Sequence, residues 1–295
     1  MIYLHLGVHK TATTYIQELF LQNLDIIFDA GRAYWPLDLV RPIIASGFDR
    51  VIIPRETKLY LLRRLLAHQK PPMQGLQEIV SLFANSIISE ENILGFPSDS
   101  LGGKLYPNAR PRLRLLAKAL KGQKVEIFLC VRGYPSFLAS LYAEAMRHGF
   151  FQPEDQFERQ NFPAAWRWFD LVTVVSGCFP DAVIHVWKYE DFSQLQEIII
   201  HRMSGVPLHT MRPLAEGLIR PSASAAAIEA MNSQSEKMTR YQRVLMMASF
   251  EKRFPVSGGH EKYRWDCDPE SLMDETYAQD VEKLRTIPNV EVFVP

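Results

Sequence analysis

Cysteine is scarce in this chain: three residues in 295, Cys130, Cys178 and Cys267, far apart and with no C-x-x-C pair. That spacing argues against a disulfide framework and a thiolate zinc site, and it favours a reducing, cytoplasmic setting. An excess of charge of one sign is also missing, since 33 Lys+Arg stand against 33 Asp+Glu. The balance removes the electrostatic footprint of a protein that grips long nucleic acid by its phosphates. It leaves room for a local pocket that binds a small anion. Long apolar runs are lacking as well: the longest stretches without a charge, 79–89 and 133–143, are about 11 residues. Crossing a bilayer takes ~20. The opening MIYLHLGVHK has no basic leader region, long apolar stretch or small-residue cleavage site, so a soluble, unprocessed chain is expected.

What is present is a core-forming composition, 47% hydrophobic, enough for one large domain. Short β-branched and apolar runs predict buried strands at 2–6, 86–89, 125–131 and 183–187. Helical spacing predicts helices at 13–28, 55–68, 76–85, 110–120, 136–147, 164–176 and 192–203. Three more are expected after Ser222, which is read as a helix cap, the last at 270–285. Buried strands alternating with helices imply a three-layer α/β/α domain around a mainly parallel sheet. We expect a single domain over 1–295, with a lid or substrate-binding insertion at 30–72 and a helical part from 205.

The first strand runs directly into Gly7-Val8-His9-Lys10-Thr11-Ala12-Thr13-Thr14, and a helical pattern follows. A strand, loop and helix N-terminus in that order form an anion site. The free N–H groups point at the ligand, Lys10 supplies a charge, and the hydroxyls of Thr11, Thr13 and Thr14 are further donors. A capped first helix with a surface lysine is the plainer reading. The Walker A pattern is incomplete, because His9 stands where its second glycine belongs. The third predicted strand ends in Arg132, and Ser140 follows eight residues later in a helix starting near Pro135. A cation at a strand's carboxyl end suits a second phosphate. A structural ion pair and an ordinary helix serine explain the same residues.

Together these segments resemble the sulfotransferases that use 3′-phosphoadenosine 5′-phosphosulfate, of the bacterial and carbohydrate type with a P-loop NTPase-like fold. His5-x-Gly7-x-His9-Lys10-Thr11-Ala12-Thr13-Thr14 is similar to the family's 5′-phosphosulfate loop, H-x-G-x-x-K-T-G-T-T. Val131-Arg132 with Ser140-Leu141-Tyr142 is similar to its 3′-phosphate element, and Trp187-Lys188-Tyr189-Glu190-Asp191-Phe192 to its Y-E-D-[LF] element. The chain departs from the family at Ala12, where glycine is usual, and at Gly133-Tyr134-Pro135, where the proline comes one place late. If position 12 needs positive φ, alanine carries a backbone penalty there. The resemblance covers roughly the first 203 residues.

That resemblance implies sulfuryl transfer to an acceptor hydroxyl, with a carbohydrate or glycan acceptor carried over from the bacterial members and no metal required. Gly7, His9, Lys10, Thr11, Ala12, Thr13 and Thr14 would cradle the 5′-phosphosulfate, and Arg132 with Ser140 the 3′-phosphate. Lys262 and Arg264 would complete the nucleotide site from a late loop. Transfer needs a base for the acceptor proton. Glu91, in Ser89-Glu90-Glu91-Asn92 at a strand end, is the first choice, then Glu90, then His9. A solvated carboxylate pair is the plainer reading of Glu90 and Glu91.

His5 is expected to pack in its strand. Glu190 and Asp191 are expected to be structural, with Asp191 capping the next helix. The basic run 110–124 is read as a solvated helix face, and Tyr34, Trp35, Trp166 and Trp168 as core or as sugar-stacking rings. Two other functions fit parts of the pattern. One is a P-loop kinase or nucleotide hydrolase with Thr11 on Mg²⁺, although Arg132 stands where that chemistry wants an acid. The other is a non-catalytic module that binds a nucleotide or glycan.

Overall fold

The computed structural model describes residues 1–52, 73–96, 99, 104–161, 167–215, 222–234, 238–265 and 270–295. The sheet has six strands: β1 (Ile2–Leu6), β2 (Ala33–Trp35), β3 (Ser86–Glu90), β4 (Val125–Val131), β5 (Val183–Lys188) and β6 (Val290–Val292). Their spatial order is β2-β3-β1-β4-β5-β6, and every pairing is parallel. The four predicted strands are therefore present. The two edge strands went unread because three residues carry no measurable alternation.

Twelve α-helices lie among the described residues: α1 (Thr13–Gln22), α2 (Leu24–Asp29), α3 (Leu37–Ile52), α4 (Gln74–Leu82), α5 (Ala109–Ala119), α6 (Tyr134–Arg147), α7 (Glu154–Asn161), α8 (Trp168–Cys178), α9 (Phe192–Ser204), α10 (Ala225–Asn232), α11 (Arg240–Arg253) and α12 (Glu270–Leu284). None is long and apolar enough to cross a membrane. Strand alternation sorts the core into two layers. Leu4, Leu6, Ile127 and Val131 pack on one face with residues of α3 to α6, α8 and α10 to α12. Tyr3, Phe128 and Trp187 pack on the other with residues of α1 and α9 and with Ile27 of α2. This is the three-layer α/β/α arrangement.

Several local expectations change. The helix expected over 13–28 breaks at Asn23, whose side-chain amide donates to the carbonyls of Leu19 at 2.8 Å and Arg212 at 3.1 Å. Ser224, not Ser222, caps α10, its hydroxyl accepting from the Ala227 N–H at 3.2 Å. Asp191 makes no side-chain cap; its carboxylate pairs with Lys188 at 2.9 Å. Arg112 is not on a solvated face: it is buried and donates to the Asn92 carbonyl at 2.7 Å. Within 30–72, residues 33–35 form the β2 edge and α3 packs against β3. Residues 53–72, with the helix expected at 55–68, lie outside the described residues, as do Trp166 and Cys267. Helix α7 was not anticipated.

Candidate functional site

The site is organised by β1, which sits between β3 and β4 and sends its chain out to one side while β4 continues on the other. In parallel sheets, a reversal of this kind opens a crevice beyond the carboxyl ends of the strands. Three predicted elements meet there: the loop 7–12 after β1, Arg132 after β4, and Glu90-Glu91 at the end of β3.

The loop takes a strained path. Lys10 and Ala12 both have φ of 64°, the left-handed region that favours glycine. Ala12 is thus at the position where the resembled family carries glycine, and it needs the geometry that glycine supplies. Gly7 is required for a different reason. A Cβ there would fall 2.6 Å from Thr13 Cγ2 and 3.1 Å from the Glu91 Cα, so only hydrogen fits between the loop and the β3 end. The Thr11 and Thr13 hydroxyls, expected to face an anion, instead donate to the Val8 carbonyl at 2.6 and 3.2 Å. They close the loop on itself. Thr14 is exposed on the first turn of α1.

His9 is buried in the same loop, its ring nitrogen Nδ1 3.0 Å from the Tyr106 hydroxyl, which also accepts from the His9 N–H at 3.1 Å. Burial holds its pKa down at about 4, against the opposing pull of Glu91. It is neutral at physiological pH and locked to Tyr106. His5, fully buried in β1, is also held at about 4 by burial, with Nδ1 2.8 Å from the Ser89 hydroxyl.

Arg132 ties the second motif to the first. Only 5% exposed, it donates from Nη1 to the Lys10 carbonyl at 2.6 Å and from Nε to the Ser136 hydroxyl at 2.9 Å. Its guanidinium stacks over the Tyr189 ring at 4.5 Å. The carbonyl of Arg132 accepts from the indole N–H of Trp168 at 2.8 Å, so Trp168 is buried support here. Glu190 accepts from the Gly133 N–H and from the Tyr277 hydroxyl at 3.0 and 2.9 Å. Both are bracing contacts for the turn after β4.

A cavity of about 290 Å³ opens beside these residues, lined by Lys10, Arg132 and Ser140 of the predicted set and by Lys262 and Arg264 of the late loop. That loop reaches the cavity through an antiparallel bridge between Ser224 and Lys262. Tyr263 N–H donates to the Ala223 carbonyl and Ala225 N–H to the Glu261 carbonyl, each at 2.9 Å. Ser136, Arg147, Ser222 and Trp265 also line the cavity and were missed. Arg147 and Ser136 had a readable signal, lying seven and four residues from Ser140 on one amphipathic helix. Ser222 and Trp265 had none.

The cavity collects charge of one sign. Lys262 is held below the ordinary lysine range by partial desolvation of its ammonium and then by the positive charges of Arg132 and Arg264. Lys10 is held from behind: its Nζ lies 3.1 Å from Glu144 Oε2, which also receives Arg147 at 3.0 Å. Burial works against the charged Glu144 carboxylate, but Lys10 and Arg147 outweigh it and hold the group at about 2. Lys10, Arg132, Arg147, Lys262 and Arg264 all line the cavity, with Lys10 and Arg147 sharing Glu144 behind it.

Glu90 and Glu91 fall on the other flank of β1 and do not line the cavity. Arg41 of α3 spans both, with Nε 2.9 Å from Glu90 Oε2 and Nη2 2.5 Å from Glu91 Oε1. Gln17 donates to Glu91 Oε2 at 3.1 Å. The two carboxyls are pushed apart: burial, then the neighbouring Glu91, raises Glu90. At Glu91 burial pulls upward too, but Arg41, a backbone N–H and Gln17 outweigh it and lower the pKa. Glu91 is therefore the firmly ionised member. Arg41 gave no signal in sequence, because nothing in its spacing announces a partner 50 residues away.

No protein-family model matches the chain, and no curated protein matches it. Among solved structures, the chain is similar to retinol dehydratase in complex with androsterone and inactive cofactor PAP, at 10% identity and a TM-score of 0.32, over 100% of this chain and 82% of that one. A likeness of that degree carries no weight for fold or function.

Proposed function

We propose that this chain is a sulfotransferase that moves a sulfuryl group from 3′-phosphoadenosine 5′-phosphosulfate to an acceptor hydroxyl on a carbohydrate or glycoconjugate. The observation that carries the reading is the convergence of Lys10, Arg132, Ser140, Lys262 and Arg264 on one cavity. These residues come from three distant segments; Lys10, Arg132 and Ser140 were assigned to one nucleotide by motif, and Lys262 and Arg264 from the place of their loop late in the chain. Their chemistry fits a ligand with anionic groups at two ends, and the buried guanidinium of Arg132 fits a phosphate better than a neutral group.

In this reading Lys10 and the N–H groups of 11–14 stabilise charge on the departing 5′-phosphate. Arg132 and Ser140 anchor the 3′-phosphate, which aligns the sulfur for in-line attack. Glu91, ionised at neutral pH, takes the acceptor proton as the new O–S bond forms and the bridging S–O bond breaks. Adenosine 3′,5′-bisphosphate then leaves. His9, buried and bonded to Tyr106, serves the loop rather than the proton transfer.

Calorimetric binding of adenosine 3′,5′-bisphosphate and of ATP with Mg²⁺, on wild type and Arg132→Ala, tests the proposal. The expected result is metal-independent preference for the bisphosphate, lost in the variant. Preference for ATP·Mg²⁺ would move the reading to a kinase or hydrolase, and binding of neither would reject the nucleotide site.

A further inference from the structure

Helix α11 exposes apolar side chains on its outward side, next to the exposed polar residues Gln242, Ser249 and Lys252. It buries Met247 and Phe250 and packs against α6. On the other side Tyr241, Val244, Leu245 and Ala248 are exposed, at the i, i+3, i+4, i+7 spacing of one stripe. Tyr241 is 72% and Leu245 53% exposed. Phe150 extends this surface from the turn after α6. Gly149, with φ of 73°, brings that turn so close that a Cβ would fall 2.4 Å from the Arg240 carbonyl oxygen and 3.1 Å from Val244 Cγ2. The Arg240 guanidinium covers the Phe150 ring at 4.3 Å.

The exposed charges that α11 itself carries are cationic. Arg240, Lys252 and Arg253 are exposed on the same helix, and its single acid, Glu251, is paired with Arg147 at 2.5 Å. The whole chain is neutral, with 33 charges of each sign, so this is a local concentration. Two copies meeting face to face across an antiparallel pair of these helices would set Arg240 of one against Lys252 and Arg253 of the other, and like charges would oppose the contact. A surface that offers anions at the rim and hydrocarbon beneath satisfies both features at once.

We infer that the α11 face is a membrane-docking surface for anionic lipid. Tyr241, Val244 and Leu245 enter the boundary between headgroups and acyl chains, while Lys252 and Arg253 meet lipid phosphates. The cavity described above is then close to the membrane: α6 lines it, and Arg147 bridges its wall to α11 through Glu251. One helix diameter, ~10 Å, separates the two.

The test is sedimentation of the full chain with phosphatidylcholine vesicles, with and without phosphatidylserine, at low and high salt. It needs no nucleotide, so its outcome is independent of the proposed reaction. The expected result is binding only to the anionic vesicles, weakened by salt, about fivefold weaker in Lys252→Ala and at least tenfold weaker in Leu245→Glu and in Tyr241→Ser. These side chains are exposed, so the variants keep the wild-type melting temperature, and two of them guard against one misfolding. Absence of vesicle binding, equal binding to both vesicle types, or binding unchanged in both apolar variants would overturn the inference. So would a concentration-dependent dimer in sedimentation velocity that Leu245→Glu abolishes.

Discussion

The guanidinium of Arg132 donates to the main-chain carbonyl of Lys10 across 2.6 Å, joining two motifs 122 residues apart. A cation read from sequence as a ligand for phosphate is thus also the bolt that holds the β1 loop in place. Arg132→Lys keeps the charge but loses the fork that reaches Lys10 and Ser136 together. Urea unfolding should show a loss of about 1–3 kcal/mol, and bisphosphate binding should weaken at least tenfold. Wild-type stability in that variant would mean the bond does not hold the loop.

Ala12 offers the opposite change. An alanine at φ 64° is strained by about 1–2 kcal/mol, and glycine is not, although glycine costs more entropy on folding. Ala12→Gly should therefore stabilise the protein by about 0.5–1 kcal/mol, read as a higher urea midpoint at unchanged slope. At Gly7 the sign reverses: Gly7→Ala places a methyl 2.6 Å from Thr13 Cγ2 and should cost about 1–3 kcal/mol.

Stability should depend on pH through His5 and His9. Both have folded pKa values of about 4, below the ordinary 6.5, because burial disfavours the charged ring. The unfolded chain therefore binds protons first as pH falls. The stability tied to neutral rings is complete above pH 6.5 and is lost progressively toward pH 4. The full effect is roughly 3 kcal/mol per histidine. Urea midpoints measured from pH 7 to 5 should fall, before Glu144, held at about 2, begins to protonate. His9→Asn should reduce the slope, with His5 and the likewise buried and lowered His185 supplying the remainder; a flat wild-type profile would contradict buried neutral histidines.

Arg41 should set the acid limb of the proposed reaction. Its guanidinium is the main force lowering Glu91, and it also opposes the rise of Glu90. Arg41→Met should shift the acid limb of kcat/KM to higher pH and leave bisphosphate affinity unchanged, because Arg41 does not line the cavity. An unmoved limb would remove Glu91 as the base.

The α/β class and the loop after β1 were legible in the residue pattern, because long central strands and helices carry a repeating apolar pattern and the loop is contiguous. The sequence also marked position 12 as the place where backbone geometry is at issue, since alanine there replaces a glycine of the resembled motif. The remaining contacts arise only when the layers pack together. Arg41 reaches Glu90 and Glu91 only because α3 packs against β3. Lys262 and Arg264 reach the cavity that Lys10 lines only because the late loop pairs with Ser224. The Thr11 and Thr13 hydroxyls turn inward to Val8 because the left-handed turn at Lys10 brings that carbonyl within reach. Local patterns record which face of an element is buried, whereas contacts between distant segments depend on how the layers close. Spacing along the chain does not encode that closure.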